Sequence, residues 1–213
     1  EYRFMRRHRR LFTRDDHMAR LDRLLWGGKY RQALRMMRRI DKSYRPVALA
    51  RIKLRLYRGG VDQAIARVPK SMRSDPGFLY ERLRWRRRKR RDLDALEILN
   101  DPPDDLVHPE RWWVERAHIA RRILGRGMTK EAYDIAQDHG LKPGLAFAEA
   151  EWMSGWIALR FLNRAETAAV HFKRLFEAVT TPISRARGAY WSGRAAEALG
   201  KANEAKRWYD RAS

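Results

Sequence analysis

Glu149 and Glu151 stand just before Trp152, and a pair of carboxylates is what glycoside cleavage requires, one acting as acid and the other as base or nucleophile. Two residues apart on a helix point about 200° away from each other, so the pair cannot address one bond. Glu149 is expected to pair with a basic residue of an adjacent helix, and Glu151 to be a buried or bridging structural carboxylate. The six histidines (His8, His17, His108, His118, His139 and His171) include no pair at i,i+3 or i,i+4 that would clamp a metal from one helix face. Each is expected at the surface or as a cap. With no cysteine, thiol nucleophiles and Cys-ligated zinc or iron–sulfur sites are excluded. A phosphate-cradling glycine loop, a Gly-x-Ser-x-Gly elbow and a His-Glu-x-x-His pair are missing as well. No residue is therefore assigned a catalytic, cofactor-binding or metal-binding role.

Aromatic and cationic side chains are what remains for recognition. Eight tryptophans could stack on sugar rings or nucleobases, although at helical spacing most belong in a core. Adjacent Trp112 and Trp113 cannot face the same way, so one of them is expected to be exposed or in a groove. Lys and Arg number 48 against 26 Asp and Glu, a net charge of +22. Residues 1–100 hold 30 cations and 11 anions (+19), and residues 101–213 hold 18 and 15 (+3). Arginine accounts for 38 of the 48, and its planar donor fork suits carboxylates and phosphates. Such a surface attracts nucleic acid, anionic lipid or an acidic cell-wall polymer, unless its arginines are simply solvated helix faces. The densest run is Arg84, Arg86, Arg87, Arg88, Lys89, Arg90 and Arg91, the expected contact with a polyanion.

These side chains must be positioned by something, and the chain is periodic. Alanines at 33, 64, 95, 132, 168 and 205, spaced 31, 31, 37, 36 and 37 residues apart, each follow the opening of a helical segment: Tyr30, Val61, Asp92, Thr129, Ala165 and Ala202. Gly27–Gly28, Gly59–Gly60, Gly125 with Gly127, and Gly200 precede four of them, where a helix C-terminus favours φ > 0. Pro46, Pro76 and Pro109 open first helices, and Ser184 and Thr129 are expected N-caps. Leu49, Ile52 and Leu56 form one apolar stripe, and Trp113, Ala117, Ala120 and Leu124 another. Small residues recur in later helices, as at Ala148 and Gly155 or at Ala189, Gly193 and Ala196, where a neighbour can approach closely.

A two-helix unit cannot bury its stripe alone and must stack on the next. The expected fold is all-α, a right-handed superhelix or solenoid of about six tetratricopeptide-like hairpins forming an arc or partial ring. Asn100–Asp105 reads as a seam where charge and repeat length change, giving basic hairpins over 1–105 and a further set over 106–213, in one continuous solenoid. Apolar runs reach only four residues, whereas a membrane helix needs about 18 or more, so no span is expected. No signal peptide is visible, and an opening at Glu1 rather than Met leaves room for a removed segment upstream.

Residues 148–162, His171–Phe172 and 182–200 resemble the superhelical domain of the soluble lytic murein transglycosylases. The match lies in Glu149, Glu151, Trp152, Gly155, Trp156 and Arg160 of a Glu-Trp-x-x-Gly-Trp-Ile-Ala-Leu-Arg segment. It continues in Ser184, Arg187, Tyr190, Trp191, Gly193 and Arg194 of an Ala-Arg-x-x-Tyr-Trp-x-Gly-Arg-Ala segment. Residues 108–145 fit more loosely, and residues 1–100 only as generic helical hairpins. The resemblance implies a scaffold which, in family members, precedes a lysozyme-like catalytic domain. That domain makes 1,6-anhydro sugars without metal by turning the muramic acid C6 hydroxyl on its own C1. Its Glu-Ser and Gly-Leu-Met-Gln segments do not occur here, so no catalytic residue carries over and this chain alone is expected to be inactive. The resemblance further implies a periplasmic location, no cofactor, and two partners: peptidoglycan glycan strands and the catalytic domain of the same protein. Arg160, Arg185, Arg187 and Arg194 then become structural residues. The alternative is a helical-repeat adaptor binding protein or nucleic acid through the basic N-terminal half.

Overall fold

The structure is a computed structural model that describes residues 7–213, and among these the regular elements are all helical. Twelve α-helices follow one another: α1 (Arg14–Trp26), α2 (Tyr30–Met36), α3 (Arg45–Leu56), α4 (Val61–Ala66), α5 (Pro76–Arg88), α6 (Asp92–Asn100), α7 (Pro109–Leu124), α8 (Thr129–Gln137), α9 (Leu145–Phe161), α10 (Ala165–Ala178), α11 (Pro182–Ala198) and α12 (Ala202–Asp210). Read in pairs they are six hairpins, and every second helix starts at the residue that the alanine repeat names.

The repeat has a local cause. Each alanine is the fourth residue of its helix, and its N–H closes the first helical bond onto the carbonyl four residues earlier, at 2.9 to 3.2 Å. All six are at most 8% exposed, which leaves no room there for a larger side chain. A left-handed residue lies one or two positions before each second helix: Gly28, Gly60, Arg90, Gly127, Asn163 and Gly200. Asparagine tolerates that conformation, whereas arginine at φ 60° does not gain from it. Thr129 and Ser184 are not caps. Thr129 is already the first residue of α8, and Ser184 lies inside the first turn of α11, whose cap position, Thr181, makes no side-chain bond. Met128, which has no hydroxyl, occupies the cap position of α8.

The contacts divide the chain at the third turn. One compact unit comprises the described residues up to Lys89 with Pro102–Val107, and the other comprises Arg90–Asp101 with His108–Ser213. In the first unit, Leu21, Leu25, Ala33, Met36 and Ile52 interlock α1, α2 and α3, while Val47, Leu54, Ala64 and Phe78 join α3 to α4 and α5. The apolar line on α3 is rotated from the expected one. Leu49 is 42% exposed, and Val47, Ala48 and Leu54 are buried instead because α3 packs on both α1 and α5.

A charge sits inside this unit. Arg51 is 2% exposed; its Nη1 donates to Asp22 Oδ1 at 2.6 Å and to Tyr44 Oη at 3.3 Å, and its guanidinium lies over the Trp26 ring. Tyr44 donates to Asp75 Oδ2 at 2.7 Å, and Asp75 caps α5 by accepting from the Phe78 N–H. Gly77 leaves the space that the guanidinium fills, since a Cβ there would fall 2.1 Å from Arg51 Cζ. One buried cation therefore ties α1, α3 and the start of α5.

In the second unit, each helix packs on its successor, and α7, α9 and α11 also touch one another in turn. Trp112 and Trp113 are both buried, which excludes the exposed placement and leaves that in a groove, where Trp113 meets Glu149 and His139. With α6, α8 and α9 all packed against α7, adjacent indoles pointing apart each find a wall. Asp92, the buried first residue of α6, meets Arg122 at 2.6 Å and Arg126 at 3.1 Å from α7 and the turn after it. Gly155 and Gly193 admit aromatic edges: a Cβ at either would fall 2.7 Å from the Phe172 ring or 2.5 Å from the Tyr209 ring.

Candidate functional site

The basic run begins inside α5, whose buried Phe78 and Leu83 face the core while arginines fill the rest of the helix. Arg84 and Arg55 meet Glu81 at 3.9 and 2.7 Å. Burial pushes the Glu81 carboxyl up, against the pull of Arg55 and Arg84. Arg84, Arg86 and Arg87 are half-buried; Arg88, Lys89, Arg90 and Arg91 are exposed. Arg86, Arg87 and Arg88 occupy the last helical turn, where cations complement the helix dipole. The Arg88 guanidinium and the Lys89 ammonium both lie over the Tyr57 ring, at 4.5 and 4.6 Å. Arg90 and Arg91 open the second unit, and Arg91 pairs with Asp94. The seven candidate residues thus separate into three that are half-buried and four that are exposed in succession.

The twelve residues of the family-like segments lie on α9 and α11, and several of them meet. Trp152 and Trp156 stack one helical turn apart, with centroids 5.8 Å apart and planes 14° from parallel. Trp191 sets its edge against Trp152 and stacks on Phe172, the ring admitted by Gly155. Arg187 lies over Trp152 at 4.6 Å. Tyr190 packs against Trp191 and Tyr209, and Gly193 makes room for Tyr209. Arg194 meets the Tyr190 hydroxyl at 3.4 Å and Glu197 at 3.0 Å. Glu149 is exposed and accepts from Trp113 Nε1 at 3.3 Å, and its charge also acts on Arg187 of α11, a basic residue of an adjacent helix. Arg160 is exposed in the last turn of α9, and Ser184 is half-buried at the start of α11.

Glu151 has a different setting. It is buried on α9, and two imidazoles converge on its carboxylate: His171 Nδ1 from α10, 2.5 Å from Oε2, and His139 Nε2 from the segment after α8, 3.5 Å from Oε1. The Leu141 N–H donates to His139 Nδ1 at 3.0 Å, so in a neutral ring Nε2 carries the proton facing Glu151. Tyr133 Oη on α8 lies 3.0 Å from His171 Nε2 and continues the chain of polar groups, while Arg174 stands 3.8 Å from Oε1. Burial pushes the Glu151 carboxyl up, yet the hydrogen bonds from His139 and His171 outweigh it and hold the group at about 2. A carboxyl in that range keeps no proton near neutrality and cannot act as a general acid, for which the value must be raised. Its chemistry is that of a fixed anion locking α8, α9 and α10 together.

The buried histidines overturn the reading of every histidine as a surface or capping residue. His171 does carry a local signal, since it stands in the apolar stripe Ala168–His171–Phe172–Leu175 of α10 and needs a buried polar partner. Arg116, also buried, donates to the Ile135 carbonyl at 2.9 Å and meets Asp138 at 3.3 Å. Among the described residues, no group of three or more His, Asp and Glu side chains is arranged to hold a metal ion, and no helix is long and apolar enough to cross a membrane. Comparison with protein-family models, with curated proteins and with solved structures finds no match to this chain.

Proposed function

We propose that the chain is the non-catalytic superhelical scaffold of a soluble lytic murein transglycosylase in the periplasm. In this reading it positions peptidoglycan strands and supports the catalytic domain of its parent protein. That domain would cleave the MurNAc–GlcNAc bond as a carbon–oxygen lyase and leave 1,6-anhydromuropeptides. The observation that carries the reading is the interlock of the two family-like segments: Arg187 on Trp152, Trp152 on Trp156 and Trp191, and Trp191 on the Phe172 ring that Gly155 admits. Five of the residues that carry the resemblance, Gly155, Trp152, Trp156, Arg187 and Trp191, meet one another or Phe172 across α9, α10 and α11. Exposed Arg88 to Arg91 supply cations for the carboxylates of peptide stems.

Purified sacculi test this directly. The chain should bind them at low salt, bind more weakly at high salt, and release no anhydromuropeptides. Equal binding at both salt concentrations removes the electrostatic part, and cleavage by this chain overturns the division of labour. A second reading, a helical-repeat adaptor for nucleic acid or protein, is favoured by the same four exposed cations in succession. A random-sequence DNA duplex bound with a steep salt slope, together with no retention on sacculi, would replace the first reading with this one.

A further inference from the structure

A cleft of about 150 Å³ opens on the last two hairpins, walled by α10 and α12 and floored by α11. Ala169 and Val170, Ala196 and Leu199, and Trp208 make its lining apolar, and Val170 is 50% exposed there. Lys173, Lys201 and Glu204 supply its charges. Lys173 stands 3.8 Å from Glu177 and Lys201 3.8 Å from Glu204, beyond hydrogen-bond reach, so both ammonium groups keep donors for a further anion. Size narrows the choice of occupant. Pockets enclosing a drug-sized ligand run to about 300–1,000 Å³, and this smaller one suits the end of a short peptide of small residues rather than an N-acetylated sugar ring.

We infer that this cleft takes the carboxylate end of a short peptide with small apolar side chains. Its methyl groups lie against Ala169, Val170 and Leu199, its carboxylate meets Lys173 and Lys201, and an amino group faces Glu204. Resting on the function proposed above, the occupant is a peptidoglycan stem peptide, so the second unit grips the peptide and not the glycan.

The test titrates the 213-residue chain with the pentapeptide L-Ala-γ-D-Glu-L-Lys-D-Ala-D-Ala and with its C-terminal amide, following backbone amide shifts by NMR. Saturable shifts centred on Ala169, Val170 and Lys201 are expected. Affinity should fall about tenfold for the amide and in Lys201→Glu and Val170→Asp. Both substitutions are at exposed positions, which keeps folding out of the comparison. No shift, shifts spread over the whole chain, or equal affinity for acid and amide overturns the inference. Sacculus binding separates the two claims. Sacculi held by the parent chain while the peptide gives no saturable shifts overturn the cleft and leave the proposed function standing. Sacculi not held by the parent chain overturn that function, and the peptide titration then decides the cleft alone.

Discussion

Acidification should remove the ion that ties α8, α9 and α10. Glu151 stands at about 2 in the folded chain against an ordinary value of 4.5. That gap corresponds to roughly 3 kcal/mol at about 1.36 kcal/mol per pH unit. The sign follows from which state binds the proton first. An unfolded glutamate protonates near 4.5 while the folded one resists, so the stabilisation is complete above about pH 5 and is lost as pH falls toward 2. The groups facing the carboxylate are His139, His171 and, farther off, Arg174, with Tyr133 behind His171. Urea unfolding followed by far-UV circular dichroism, for the parent chain and Glu151→Gln between pH 7 and pH 2, isolates this one group. The stability advantage of the parent over the variant should shrink by about 3 kcal/mol as pH falls from 5 toward 2. Parallel pH profiles for the two chains would refute the assignment of Glu151 as an anion stabilised by imidazole donors.

Three further outcomes are expected. Gly155→Ala places a Cβ 2.7 Å from Phe172, a fully buried ring with nowhere to retreat, and should cost about 1–3 kcal/mol in thermal unfolding. Arg51→Met keeps the bulk but removes the cation that Asp22 and Tyr44 share, and since Asp22 is 40% exposed and can be solvated, chemical denaturation should show a loss of about 1.5–3 kcal/mol. Arg90→Gly relieves a left-handed arginine and should raise stability by up to about 1 kcal/mol, as glycine's lost chain entropy offsets part of the relief; a lower denaturation midpoint would contradict this.

Hairpin register was legible in the sequence because its determinants are local. A small residue at the fourth helical position and a left-handed residue just before the helix can both be read within one short stretch of chain. Only the third and fifth turns were hidden, since Arg90 and Asn163 do there what glycine does elsewhere. The Glu151 cluster was not legible. Its partners lie 12 and 20 residues away on other elements, and no spacing along one helix encodes their convergence. Arg51 and Arg116 were lost among 38 arginines for a related reason: a buried guanidinium is distinguished by the helices around it, not by its neighbours in the chain. The exposed alternative for Trp112 or Trp113 failed because the geometry of a single helix forbids a shared direction without forbidding two separate walls.

The salt link from Asp92 to Arg122 and Arg126 bears on how the chain would respond to a protease. Cleavage at the exposed Asp104–Asp105 would sever α6 from the polypeptide that follows it while leaving the contact between α6 and α7 intact. The nicked molecule should therefore stay associated until denaturant separates the two pieces. A recombinant fragment that starts after this loop would be missing a wall and should aggregate, unless the nine-residue α6 segment is added back as a separate peptide.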